Sequence, residues 1–104
     1  MNDNYEFEYF TSLSFTDISK EFIEQVKEYT IKNIFNKDDK ENILLKIVAN
    51  PHDFWTYYSL DIYTKRFWDD GDCDEDAEIE ENDKIYDRAN KISDLINKKY
   101  EDYL

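Results

Sequence analysis

Between Tyr5 and Phe15 the chain reads "YEFEYFTSLSF", with Tyr5, Phe7, Tyr9, Thr11 and Leu13 on one side and Glu6, Glu8, Ser12 and Ser14 on the other. A two-residue period is that of a strand with one buried side, so 5–15 is predicted as a half-buried strand. Thr16 or Asp17 is placed to cap a helix over about 17–36. Its apolar stripe is Ile18, Phe22, Val26, Tyr29 and Ile34, and the polar run "NKDDKEN" ends it.

The segment "NILLKIVA" (42–49) is short, apolar and β-branched, and "NPHD" (50–53) supplies a proline for a turn. In "FWTYYSLDIYTKRFW" (54–68), Tyr58, Leu60, Ile62 and Thr64 alternate with Tyr57, Ser59, Asp61 and Tyr63. Together these segments predict a hairpin, with a helix through part of 54–67 as the competing reading. Ile85, Ala89, Ile92, Ile96 and Tyr103, supported by Tyr86, Leu95 and Tyr100, recur at helical spacing. They predict a second helix over about 79–103, with acids before it and Lys98 and Lys99 near its end, as the helix dipole favours.

The order β-α-β-β-α buries every apolar set if about three strands form a small sheet with two helices on one face, an α+β two-layer domain. At 104 residues, 40% of them hydrophobic, the chain suits a single domain spanning 1–104 with one modest core. The formal charge of -13 adds something the hydrophobic pattern does not show. Residues 69–83, "DDGDCDEDAEIEEND", hold ten acids and no base. Residues 1–68 hold twelve acids against eight bases, and 84–104 hold four against five. The acidity is therefore concentrated in one connecting segment.

That segment nearly writes a calcium loop. Asp70, Asp72, Asp74, Asp76, Glu78 and Glu81 occupy positions 1, 3, 5, 7, 9 and 12, a ligand order that resembles an EF-hand. Position 6 is Glu75 where the sharp turn requires Gly, and position 8 is Ala77, so no specific metal site is expected. Catalytic constellations are missing from the sequence as well. His52 stands in a proline-containing turn with no partner in sequence, and the sole cysteine, Cys73, is surrounded by carboxylates that oppose its ionisation. There is no Gly-rich phosphate loop. A non-catalytic protein without cofactor is expected. The sequence carries no secretory leader pattern and no apolar run long enough for a bilayer, and a cytoplasmic location is expected.

Direct binding of DNA or RNA is disfavoured, because the basic clusters are limited to Lys65-Arg66 and Lys98-Lys99. The inverse holds for a protein with a basic groove. Carboxylates at every second residue from Asp70 to Glu80 lie about 6.7 Å apart when extended, comparable to the phosphate spacing along a nucleic-acid strand. The candidate partner-binding set is Asp69, Asp70, Asp72, Asp74, Glu75, Asp76, Glu78, Glu80 and Glu81, with Tyr63 and Trp68 as aromatic anchors beside the charges. The competing readings are a solvated acidic loop and, for the aromatics, core packing.

In size, charge and residues 69–83 the chain resembles the small acidic phage inhibitors, the anti-CRISPR and anti-restriction DNA mimics. The resemblance implies a non-catalytic inhibitor that occupies the nucleic-acid-binding surface of a nuclease, such as a Cas effector, in the host cell cytoplasm. An immunity protein or antitoxin neutralising a nuclease toxin shares this physics. An acidic adaptor subunit is the third alternative.

Overall fold

The computed structural model describes residues 5–17, 19–67 and 80–103. The elements are β1 (Tyr5–Leu13), α1 (Lys20–Tyr29) continued by a π-helical turn (Thr30–Ile34), α2 (Lys37–Asn42), β2 (Ile43–His52), β3 (Trp55–Phe67), α3 (Glu80–Lys99) and a closing 3-10 turn (Glu101–Tyr103). The strands form one antiparallel sheet in the order β1-β3-β2. This is the predicted α+β class with one short helix added. Within 54–67, Trp55–Phe67 is strand, not helix.

Three local choices differ from the sequence expectation. The first helix is capped by Ser19, not by Thr16 or Asp17: Ser19 has the extended backbone a cap needs, and its hydroxyl accepts the Phe22 N–H at 3.2 Å. Asp17 instead holds the Ser19 N–H at 3.0 Å. The run "NKDDKEN" does not simply end the helix but forms α2. The Asn36 side chain accepts the Asp39 N–H and the Asp39 carboxylate accepts the Asn36 N–H, each at 2.8 Å, a reciprocal capping box that satisfies donors the polar sequence would otherwise leave to water. The third difference lies in the hairpin. β2 runs through Pro51 to His52, and the turn is at Asp53 and Phe54. A proline is tolerated there because β2 is an edge strand, where one side of the backbone needs no ladder partner.

The helices cover one face of the sheet. Leu13 from β1, Ile43 and Leu45 from β2, and Leu60 and Ile62 from β3 point into that layer. They meet Phe22, Ile23 and Val26 of α1 and Ile85, Ala89, Ile92 and Ile96 of α3. Fully burying such a side chain contributes roughly 1.5–3 kcal/mol, which is why this stripe, more than helix propensity, holds α1 and α3 in place. Tyr103, expected in the α3 stripe, lies in the 3-10 turn and is 43% exposed. Its carbonyl accepts the Thr16 N–H and its ring rests 4.8 Å from Phe22, so the C-terminal turn closes over the start of α1. No helix among the described residues is long and apolar enough to cross a membrane.

A β-bulge decides which side of β1 is buried. Tyr9 pairs with Tyr63, yet Thr11 pairs with Ile62, so Phe10 is the extra residue. After it, Thr11 and Leu13 face the helices; before it, Tyr5, Phe7 and Tyr9 share the opposite face with Phe67, Lys65 and Tyr63. The expectation that Tyr5 to Leu13 form one side is thereby corrected. Phe10 turns to the helix layer instead, where its ring meets Tyr86 of α3 edge-on at 4.9 Å.

Candidate functional site

β3 ends at Phe67 and α3 begins at Glu80, and the two are tied at the root of the acidic stretch. The Phe67 N–H donates to Asn82 Oδ1 at 2.8 Å and Asn82 Nδ2 donates to the Phe67 carbonyl at 2.9 Å. A side-chain amide has one acceptor and two donors in one plane, which lets it substitute for a neighbouring strand at Phe67. Phe67, just before the stretch, and Asn82, near its end, are therefore held within hydrogen-bonding distance of each other.

Beyond this clasp, Glu80, Glu81 and Asp83 stand exposed in the first turns of α3. Carboxylates are favoured there by the positive end of the helix dipole, so their charge stabilises the helix while facing solvent. Of the sequence-derived set, the structure places Glu80 and Glu81 at this helix start and Tyr63 on the sheet. Trp68, Asp69, Asp70, Asp72, Asp74, Glu75, Asp76 and Glu78 lie outside the described residues, as do most of the calcium-loop positions. Among the described residues no three His, Cys, Asp or Glu side chains form a group able to hold a metal ion.

Tyr63 belongs to a larger aromatic surface that sequence reasoning missed. The sheet face away from the helices carries Tyr5, Phe7, Tyr9, Trp55, Tyr57 and Tyr63 by strand register, with Phe67 at its end partly buried against the core. Tyr9 and Tyr63 meet edge-on at 5.9 Å, and Tyr5 meets Phe7 edge-on at 6.2 Å and Phe67 at a tilt at 5.8 Å. The Lys65 ammonium sits 4.1 Å from the Tyr5 ring centre, and Lys46 sits 6.0 Å from that of Tyr63. At mid-strand Asp61 accepts a 2.6 Å hydrogen bond from the Ser12 hydroxyl, with Lys46 as its cross-strand neighbour. The available signal was the adjacent pair Tyr9-Phe10, which breaks strict alternation and marks the bulge.

The face extends to the hairpin tip. His52 packs on Trp55 at 5.1 Å and Trp55 on Tyr57 at 5.4 Å, while Phe54 at the turn is 99% exposed. His52 is thus a stacked surface ring.

Three cavities among the described residues are small for a small-molecule site. One of about 180 Å³ opens between Tyr9, Arg66, Asn82 and Tyr86, one of about 190 Å³ beside Asp39 and Arg88, and one of about 250 Å³ beside Ile31 and Ile47. Small-molecule sites are usually about 300–1,000 Å³. In the second of these Asp39 is already engaged: Arg88 donates to its carboxylate at 2.9–3.1 Å and to the Ile34 carbonyl at 3.0 Å.

The arrangement therefore defines a small α+β domain with a carboxylate-rich helix start and an aromatic sheet face. Comparison with known protein families, curated proteins and solved structures finds no match to this chain.

Proposed function

We propose that this protein is a non-catalytic inhibitor that occupies the basic nucleic-acid-binding surface of a nuclease by presenting carboxylates in place of phosphates. The observation that carries this reading is the Phe67–Asn82 clasp. It joins Phe67, which precedes the ten-acid stretch 69–83, to Asn82 near its end, where Glu80, Glu81 and Asp83, three of those ten acids, stand exposed in the first turn of α3. Charge concentrated in this way steers a basic partner and speeds encounter, which a uniformly acidic surface does less well. A Cas-type effector, with its positively charged nucleic-acid channel, is the finer form of the proposal.

The mechanism needs no chemical step. Carboxylates face Lys and Arg side chains of the groove, water and counterions leave, and the nucleic acid loses its site. The test is competition for a guide-loaded Cas-type nuclease between labelled target DNA and this protein, with wild type beside the Asp70→Asn, Asp72→Asn, Asp74→Asn, Asp76→Asn quadruple variant. Wild type should displace DNA, increasingly poorly as salt rises, and the variant should fail while keeping its fold. Equal displacement by both proteins, or none by either, would overturn the proposal.

A further inference from the structure

We infer that the helix-free face of the sheet is the interface of a symmetric homodimer, covered in solution by the same face of a second copy of this chain. Among the described residues nothing lies over it. Tyr5 is 43%, Tyr9 58%, Trp55 49% and Leu44 45% exposed, although all four are large and apolar or aromatic. Single exposed rings are ordinary, but a contiguous face of them with few charges has the composition of an interface centre. In a chain that is 38% charged, the open-face positions carry only Lys46, Asp61 and Lys65.

Charge selects the occupant. The basic groove proposed above as the partner of the acidic stretch would meet two lysines and one carboxylate here, the wrong balance for a positive surface. Nucleic acid would find two lysines beside a ten-acid segment, too little to offset the repulsion. A second copy brings an identical, nearly neutral aromatic face, as a two-fold interface requires. The sheet is three strands wide only over 60–64 of β3, where β1 and β2 both pair with it. Its strands of 9, 10 and 13 residues, at about 3.3 Å by 4.8 Å per residue, give a footprint of about 500 Å² per copy and about 1,000 Å² for the pair, the threshold for a specific interface.

The charge distribution also sets the orientation. The root of the acidic stretch is at Phe67, one end of β3, and the hairpin tip is at the other. A two-fold axis across the strands near Asp61 sends the two acidic roots to opposite ends, separated by several times the roughly 8 Å screening length of physiological salt. It also lays the Trp55 end of one copy over the Tyr5 end of the other, bringing exposed rings together. A parallel arrangement would crowd the acidic roots together. Near the axis the two Asp61 carboxylates each keep their own Ser12 hydrogen bond and Lys46 neighbour. The helix layer stays free, so Glu80, Glu81 and Asp83 remain accessible, and the dimer stands or falls independently of the inhibitor proposal.

Sedimentation equilibrium of the full chain over a range of concentration and salt tests this. The expected result is a dimer whose association strengthens as salt rises, because screening relieves the repulsion of two chains of charge -13 while the apolar contact persists. The nuclease complex should show the opposite salt dependence. Tyr9→Glu and Leu44→Lys should each weaken association by about tenfold or more, with far-UV circular dichroism and melting temperature unchanged. Glu28→Lys on the exposed side of α1 should not affect it. A monomer at every concentration and salt would overturn the inference. So would a dimer indifferent to both face variants, or one that salt dissociates.

Discussion

Asp39 is a buried carboxylate, 3% exposed, and its environment shows how a polar residue is admitted to a small core. It satisfies the Asn36 N–H at the start of α2 and takes charged hydrogen bonds from Arg88 of α3, so one side chain joins two helices distant in sequence. Replacing Arg88 by Met is expected to cost roughly 3 kcal/mol, because the carboxylate keeps its burial and loses its cation. Urea unfolding at neutral pH checks this. Tyr100 gives a second residue-scale test. Burial, with the phenols of Tyr29 and Tyr103 beside it, raises its pKa above the usual 10.0. Its folded pKa exceeds the unfolded one, so the associated stability is fully present below about pH 10 and declines as pH rises toward the raised value. Tyr100→Phe removes that titration, and the melting temperature of the variant should fall less steeply than wild type above pH 10.

Between elements, the Phe67–Asn82 clasp links the sheet to α3. Asn82→Ala leaves the Phe67 N–H and carbonyl without these partners and should cost about 1–2 kcal/mol. Hydrogen exchange should show the loss concentrated at the end of β3 and the first turn of α3. If the proposed inhibition depends on gathering the acids at one point, the same variant also weakens nuclease binding without removing any charge. The bulge at Phe10 works at this scale too. One extra residue moves Phe10 onto the helix layer and leaves Tyr5, Phe7 and Tyr9 on the open face, creating in one step a ring contact to Tyr86 and an aromatic surface.

For the whole molecule, charge is the largest adjustable quantity. A net charge of -13 on 104 residues opposes compaction, and mobile ions screen that repulsion more readily than they affect the core. The melting temperature of the free protein is expected to rise from low to moderate salt, measured by calorimetry. An acidic stretch whose charges were already neutralised by contacts within the chain would show no such rise.

The sequence by itself determined the α+β class, the first strand, the two long helices and most of the helix-layer core, while leaving 54–67 open between strand and helix. Leu60 and Ile62, and Ile85, Ala89, Ile92 and Ile96, sit at spacings of two and of three to four residues, which only one secondary structure turns into a single apolar face. It also determined where the charge lies, since that is read residue by residue. Only the tertiary structure decided the direction of the β1 face, because a bulge inverts alternation and Tyr and Phe serve equally as core or surface rings. It alone decided that "NKDDKEN" folds as a capped helix, since the Arg88 that pairs with Asp39 comes from α3. It likewise decided that Asn82 closes on Phe67 and that the helices cover one side of the sheet. Periodicity is a local property of the backbone; which of two faces is covered depends on contacts between residues far apart in the chain.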